Sequence, residues 1–579
     1  MTRGHGTDRG RAELCAARDE GRGLFLAVLV FSVFVNLLML TGPIFMLQVY
    51  DRVLSSRSEA TLLALVVLVA FLYLMMGLLD YARGRITARA GARFQDRLDR
   101  RVFQAALDRA AVKPDDPLAG AAQRDLESIQ RLLASPALLA LFDATWTPIF
   151  IAAIFLFHPW LGWLAVAGGA VLMLGALLHQ RASQEPMTQA GGSANRAERL
   201  AGQLRSQSEA VHSLGMREAS FERWQRARGQ ALDDSIAVSD ISGGFTAFSK
   251  AFRLFLQSAI LGLGAYLVLQ NQLTPGAMIA GSILLGRALA PIDQSILQWG
   301  TVERAREGWG RLRELLGSIP PERERTALPR PRAVLEAQNL TVVPPGEHQA
   351  ALRMVSFRVE PGQALGVIGA SGAGKSTLAR AIIGAWRPAG GKVRLDGATL
   401  DQYDPDVLGS HFGYLPQQVT LFDGTIAENI ARLRGAPDAD AVVAAARKAG
   451  AHEMIVELPD GYDTQVSQQG GRLSGGQIQR IGLARAMYGD PVILVLDEPN
   501  SNLDNVGSMA LNDAIRETKS AGGAVLIMAH RPAAIQECDL LLVLDDGRTT
   551  AFGPRDKVLR ETVRNHTEIL QSAGPGGVS

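Results

Sequence analysis

Long apolar runs fill the first half of the chain, whereas in the second half short apolar runs alternate with polar, glycine-containing turns. Six segments are each near the roughly 20 residues that a helix needs to cross a bilayer. They are Leu24–Val49, Ala60–Leu79, Pro136–Phe157, Pro159–Leu178, about Phe248–Gln270 and about Pro275–Leu297. Asp143 interrupts the third, Lys250 and Arg253 open the fifth, and Arg287 and Asp293 lie in the sixth. Ala60–Leu79 and Pro159–Leu178 carry no charge at all, which argues against buried helices of a soluble core. Arg3, Arg9, Arg11, Arg18 and Arg22 precede the first run, as in a secretion signal. That run is too long for one and has no small-residue cleavage site at its end, so it predicts a retained membrane helix.

The spacing of the runs adds an architecture. The connections from about Asp80 to Ser135 and from about His179 to Ala247 are long, basic and rich in helix-compatible residues. The connections Asp51–Glu59, His158 and Asn271–Thr274 are short and carry few cations. An excess of Lys and Arg marks cytoplasmic loops, so the two long connections and the N-terminus are expected inside. An even number of spans then returns the second half to the cytoplasm as well. Each long connection must go out and come back, giving arms of about 25 residues that reach roughly 35–40 Å as helices. Leu118–Arg124 and Glu209–Gly215 lie near the turning points and are the expected contact helices. Asp143 could line a translocation path or pair with an arginine, while Lys250 and Arg253 are expected to snorkel at the membrane edge.

Composition refines this only slightly. The 579 residues exceed one ordinary core, and 47% hydrophobic residues with a mean hydropathy of +0.09 fit a mixture of membrane and soluble domains. The net charge of +2 gives no reason to expect a nucleic-acid partner. Cys15 and Cys538 are far apart, which excludes a disulfide framework. The segment Ile319–Arg332, IPPERERTALPRPR, cannot continue a membrane helix and marks a domain boundary.

Beyond it, the apolar strand Ala364–Ile368 runs into GASGAGKS, which comprises Gly369, Ala370, Ser371, Gly372, Ala373, Gly374, Lys375 and Ser376. A helix from Thr377 to Ile383 follows. This is a phosphate-binding loop in its required strand–loop–helix context. Glycines let backbone N–H groups converge on phosphate oxygens, Lys375 reaches the β- and γ-phosphates, and the Ser376 hydroxyl can ligate Mg²⁺. A second wholly apolar strand, in VILVLDEP, ends in Asp497 and Glu498. Two carboxylates at the carboxyl edge of a parallel sheet suit a metal-side role for Asp497 and a water-side role for Glu498. LSGGQ, with Ser474, Gly475, Gly476 and Gln477, stands before a further helix. On physical grounds alone it is either a second anion site or a capped glycine turn.

GASGAGKS, the Gln417 of YLPQQ, LSGGQ, VLVLDEP, SNLD at Ser501–Asp504 and the His530 of MAHR together resemble an ABC-transporter ATPase over about Val334–Ile569. The six spans with long arms resemble the exporter form of that family. The stretches LFDATWTPIFIAAIFLFHPWLGWLA, NQLTPGAMIAGSILLGRALAPIDQ, LFDGTIAENIAR and LDEPNSNLD are similar to type I secretion exporters of the protease and haemophore branch. The resemblance implies an all-α six-helix transmembrane domain at 24–305 and an α/β P-loop ATPase domain at 334–569. A cytoplasmic segment at 1–23, a linker at 306–333 and a flexible tail at 570–579 complete the chain. It implies a homodimer with ATP and Mg²⁺ between Gly369–Thr377 of one subunit and Ser474–Gln477 of the other. Gln417 would sense the metal and the membrane arms, and His530 would contact the γ-phosphate. The implied setting is the bacterial inner membrane, with a periplasmic adaptor (a membrane fusion protein), an outer-membrane channel and a secreted, unfolded protein with a C-terminal signal.

Two places depart from the family pattern. No Phe, Tyr or Trp stands in TVVPPGEHQ, Thr341–Gln349, where an aromatic residue usually stacks on adenine, so no base-binding residue is assigned. VSQQGGR, Val466–Arg472, has Ser467 and Gln468 where Gly and Glu are common. The short segment before the first span leads to the expectation that no leader peptidase is present. An exporter of lipid or small molecules is the nearest rival reading. A regulatory cassette ATPase is a more distant one, against which the six spans argue.

Overall fold

The computed structural model describes residues 2–113, 116–321, 325–467, 473–500, 503, 505–529 and 535–562. The chain divides into two compact units, the first built mainly from residues 1–321 and the second from 322–579.

The first unit is helical. Among the described residues five helices are long and apolar enough to span a membrane, and a sixth span forms if the pair Pro136–Ala144 and Thr147–Phe157, bent by 46°, counts as one. That pair is the expected third span. The first span is helix from Arg22 to Leu38 and again from Thr41, continuing through a π turn at Val49–Val53 to Ser56. The first connection therefore shrinks to Arg57, at a φ of 53°, and Ser58. The second span and its arm are one helix, Glu59–Val112, and the fourth and fifth are Pro159–Ser206 and Arg217–Leu269. Three of the four arms are thus uninterrupted extensions of their spans and longer than expected, whereas the return of the first is a separate helix of 17 residues. Lipid exposure is written on the second span: Leu63, Val67, Phe71, Leu74 and Leu78 are all exposed. An apolar exterior of this extent is stable only against hydrocarbon.

At the turning points the two expected contact segments differ. Ser208–Ser213 is a separate short helix at the tip of the second arm. Leu118–Arg124 is instead the first part of the return helix Pro117–Leu133, capped by the Asp116 side chain. The N-terminal segment forms its own helix, Thr2–Asp19, with Leu14 fully buried. An added Cβ at Gly10 would meet the Arg313 carbonyl at 2.2 Å, so this helix lies directly on Trp299–Ser318. That second helix buries Leu312, Leu315 and Leu316 in the first unit's core, and Pro320–Pro321 end it. The connection consequently starts at Ile319 and not at 306.

Three carboxylates in or beside the spans find partners within the chain. Arg83 donates to both oxygens of Asp143, at 2.6 and 3.1 Å, to Ser32 at 3.1 Å and to Asp80 at 2.9 Å. Asn36 donates to the same Asp143 at 2.8 Å. Asp143 therefore pairs with an arginine and ties the first three spans together. Arg253 does not snorkel: its guanidinium meets Asp293 at 2.9 Å as an ion contact, while Ser249 donates the hydrogen bond to Asp293. Lys250 remains exposed. Asp51 accepts from Thr274 at 2.7 Å and from the Gly276 N–H at 2.9 Å, capping the sixth span, Pro275–Leu297.

The second unit holds twelve strands among the described residues. They are β1 Leu335–Val342, β2 Leu352–Val359, β3 Ala364–Ile368, β4 Gly390–Leu395, β5 Ala398–Thr399, β6 Phe412–Leu415, β7 Gly424–Thr425, β8 Gln465–Val466, β9 Ile493–Asp497, β10 Ala524–Ala529, β11 Leu540–Asp545 and β12 Arg548–Pro554. One sheet is antiparallel, β2-β1-β4-β5, and β7 pairs with β8. The main sheet runs β12-β11-β3-β10-β9-β6, parallel except for the hairpin strand β12. β9 and β10 are buried along their whole length, as expected of strands covered on both faces.

Breaking the Arg83–Asp143 pair from one side should leave an uncompensated buried charge. Arg83→Met or Asp143→Ala should each destabilise the detergent-solubilised protein by about 3–5 kcal/mol. The double variant Arg83→Met/Asp143→Leu should recover much of that loss, measured by thermal unfolding. Additive losses would show that the two charges are not coupled.

Candidate active site

Strand order builds the site. β3, β10, β9 and β6 are consecutive neighbours, and their carboxyl ends are level: Ile368 pairs with Ala529, Met528 with Asp497, and Leu496 with Leu415. The loop after β3, the carboxylates after β9 and Gln417 after β6 therefore emerge at one edge, spaced by about 5 Å per strand. Ligands of open parallel sheets bind at that edge.

The loop after β3 turns at Gly372, φ 83°, and Gly374, φ 97°. An added Cβ at Gly374 would lie 2.7 Å from Leu352 Cδ2 and 2.9 Å from the Ala351 carbonyl, so glycine is required there for space and for backbone shape. The helix starts at Lys375 and ends at Ile382, two residues earlier than expected at its start. Lys375 is nearly buried and donates to the carbonyls of Gly369 at 2.7 Å and Ala370 at 2.9 Å. Its ammonium is thus held in the bowl of its own loop. Ser371 is exposed, and Ala373 is buried beneath the turn.

Ser376 donates to Asp497 at 3.3 Å. Asp497 is 2% exposed, and its burial raises the carboxyl pKa, with the neighbouring Glu498 adding to the rise and Ser376 opposing it. A hydroxyl beside a buried carboxylate is a hard-oxygen pair of the kind Mg²⁺ takes together with phosphate oxygens. Ser376 and Asp497 fit that ion. Gln417 donates to Glu498 Oε2 at 2.9 Å, so the structure joins Gln417 to the Glu498 carboxylate.

Glu498 has a φ of 50°, in the left-handed region, immediately before Pro499. Such a conformation in a non-glycine residue costs of order 1–3 kcal/mol and persists only where neighbours impose it. The Glu498 N–H donates to the Met528 carbonyl at 3.0 Å, and the Pro499 carbonyl accepts from Gln479. Gln479, buried on the helix Gly475–Met487, was not singled out from the sequence. A polar residue on the apolar face of that helix was the signal for it.

Ser474 and Gln477 form a capping box: Ser474 accepts from the Gln477 N–H at 3.3 Å, and Gln477 accepts from the Ser474 N–H at 2.8 Å. Gly475 and Gly476 open the helix that follows. Among the described residues no hydrogen bond joins Ser474–Gln477 to the Gly369–Thr377 segment of the same chain. His530 lies outside the described residues, as do Ser501, Asn502, Asp504 and most of the departure at Val466–Arg472. The segment Val343–Ala351 connects β1 to β2 and contains no aromatic ring other than that of the exposed His348.

Asp497 also yields a stability prediction. Its raised pKa means that the carboxyl favours the folded chain in acid, below the ordinary carboxylate range. That contribution is lost as the pH rises through the raised value. Asp497→Asn resembles the protonated form and keeps an acceptor for Ser376. It should raise the melting temperature of the nucleotide-free protein by a few degrees at neutral pH. ATP turnover should fall by roughly a hundredfold or more. An unchanged or lower melting temperature would show that burial of this charge costs nothing.

Known proteins place these features together. Residues 352–501 match the ABC transporter family, and residues 25–289 match the ABC transporter transmembrane region. The chain is 44% identical over 571 residues to the type I secretion system ATP-binding protein PrsD of Rhizobium meliloti, covering 98% of each. It is 30% identical to the cyclolysin secretion/processing ATP-binding protein CyaB of Bordetella pertussis, over 93% of this chain and 76% of that one. A solved bacterial Atm1-family ABC exporter with ATP bound superposes with a TM-score of 0.80 at 23% identity, covering 96% of this chain and 99% of that one. That likeness shows the fold. With a cassette ATPase fused to a multi-pass membrane domain and a full-length secretion relative, the chain belongs to the ABC transporter family, among the type I secretion exporters.

Proposed function

We propose that the chain uses ATP hydrolysis to move an unfolded protein with an uncleaved C-terminal signal across the bacterial inner membrane. The observation that carries this reading is the end-to-end match to a type I secretion ATP-binding protein, spanning both domains. Other relatives are named for translocation of protein toxins, RTX-I and leukotoxin, which supports a protein cargo over a lipid. The N-terminus and ATPase domain lie in the cytoplasm, consistent with the basic long connections. The working form is a homodimer that meets a periplasmic adaptor and an outer-membrane channel.

At the site, the backbone of Gly369–Gly374 and the helix start at Lys375–Thr377 bind the phosphates. The Lys375 ammonium exchanges its loop carbonyls for β- and γ-phosphate oxygens. Ser376 and Asp497 would hold Mg²⁺, which supplies charge neutralisation at those oxygens when bound. Glu498 accepts a hydrogen bond from, and takes the proton of, the water that attacks the γ-phosphorus. The bond to the β–γ bridging oxygen breaks, releasing ADP and phosphate. Gln417, already bonded to Glu498, orients that carboxylate and reaches the metal side as it moves. His530 supports the γ-phosphate, and Ser474–Gln477 of the other subunit closes over it.

Glu498→Gln should retain ATP but hydrolyse it far more slowly. In cells with the adaptor and channel it should abolish export of a cargo that the parent chain exports. Removing about fifty C-terminal residues from the cargo, on the order of two helical hairpins, should abolish export as well. Equal export of both cargo forms, or no protein export with ATPase stimulated by lipid, would favour the small-molecule reading.

The shared site has its own test. Lys375→Ala breaks one half of each site and Ser474→Arg the other. A heterodimer of the two keeps one intact composite site, and each variant homodimer keeps none. Purified heterodimer should show measurable ATPase where both homodimers are inactive. Wild-type turnover in either homodimer would remove the two-chain site.

A further inference from the structure

Exposure on the membrane helices has two characters. On the second span it is largely apolar, as a lipid face requires: Leu63, Val67, Phe71, Leu74 and Leu78 form one exposed apolar side. On the sixth span, Pro275–Leu297, the exposed residues between its two ends are polar, namely Arg287, Gln294 and Ser295. Of the five unbroken spans among the described residues this helix is the most enclosed, with 56% of its apolar window buried. Leu285, Ala288, Leu289, Ile292 and Ile296 form its inner face in the hydrophobic core. At 100° per residue, Arg287 and Gln294 project together from the opposite side, and both are exposed.

Arg287 stands at the thirteenth of 23 positions, close to the middle of the span. Other charges in the spans are met within the chain, Arg83 by Asp143 and Arg253 by Asp293. Lys250 lies at the inner end of the fifth span, where it can reach the interface. Among the described residues Arg287 has no ion pair and no side-chain hydrogen bond. A lone guanidinium at that depth is costly against hydrocarbon and marks a water-filled interior.

Two backbone features lie at the same level. Pro291 has no N–H, so the Arg287 carbonyl four residues earlier lacks its helical donor. A freed carbonyl within a membrane needs protein or water to satisfy it. Gly286 leaves room for the amide of Gln257 from the fifth span, which an added Cβ would meet at 2.7 Å. The Arg287 cation, the Gln257 amide against Gly286 and the carbonyl that loses its proline donor therefore fall at one level of the sixth span.

We propose that Arg287 lines a water-filled passage through the membrane domain and holds carboxylate groups of the extended polypeptide that moves through it. The cargo part of this rests on the protein-export reading, whereas the passage does not. Arginine suits the role because its planar fork binds carboxylate in two parallel hydrogen bonds yet exchanges readily with water.

The passage is tested without cargo. In full-length protein in membrane vesicles, carrying Cys15→Ser, Arg287→Cys should react with a cationic, membrane-impermeant methanethiosulfonate. Leu74→Cys on the lipid face should react much more slowly. Cys538 is buried, with its thiol pushed up to about 12, and adds no background. Equally slow labelling at 287 and 74 would overturn the passage. Conversion of the Arg287→Gln protein to monomers on size exclusion would overturn it too, by making the guanidinium a contact between copies.

The carboxylate part is tested by export. Arg287→Gln should lower export of an Asp- and Glu-rich cargo about tenfold, with basal ATPase near wild type and Arg287→Lys largely active. The same cargo with its acids changed to Asn and Gln should be little affected. Equal loss for both cargoes would overturn carboxylate recognition while leaving the passage. Absence of protein export by the parent chain would sink the cargo reading alone.

Discussion

A charge or peptide group withdrawn from bulk water must find a partner, and both halves of this chain take their form from that cost. In the first unit it makes the spans helical, since a helix satisfies its own backbone within the bilayer. It also explains where the irregularities fall. The free helix start at Thr274–Gly276 is covered by Asp51, and Asp143 is met by Arg83 and Asn36. These contacts bridge residues far apart in sequence, so the groups that would otherwise destabilise single helices hold the bundle together. In the second unit the same cost acts on Asp497, whose carboxylate is kept at the sheet edge beside a single hydroxyl.

Local strain at Glu498 belongs to the same balance. Its left-handed backbone is held by the Met528 carbonyl on one side and, through Pro499, by Gln479 on the other. The carboxylate leaves that turn in a fixed direction and meets Gln417. An alternative extended turn would relieve the strain but would carry the side chain away from the edge where β3 delivers the phosphate-binding loop. A carboxylate placed this way carries its strain in the resting protein and needs no reorganisation to keep that direction.

Much of this was legible in the chain because local signals and long-range order agree. Charge-free runs, basic long connections and a strand–loop–helix around Lys375 each follow from short-range chemistry. What could not be read was decided by partners distant in sequence. Asp143 admitted two readings until Arg83, sixty residues earlier, was found beside it. Arg253 was expected at the interface because nothing nearby in sequence announces Asp293. The helix Trp299–Ser318 was taken partly as linker, since its Arg- and Glu-rich outer face hides the buried Leu312, Leu315 and Leu316. Gln479 escaped notice because its partner is a backbone carbonyl that no sequence pattern displays.

The geometry also bears on how one motor can serve a long, changing substrate. A folded small molecule rewards a tight pocket lined by fixed donors, but an extended polypeptide presents a different side chain at each step. What repeats along it is backbone and, intermittently, charge. A passage for such a substrate is better lined by a few hydrated, exchangeable groups than by a shaped cavity, because strong binding at any one step would stall the next. The polar side of the sixth span, with Arg287 and Gln294 spaced by two helical turns, has that sparse character. The stringency then resides in the ATPase domain, where every turnover is chemically the same and Glu498 and Gln417 are held to within a hydrogen bond of each other at the sheet edge.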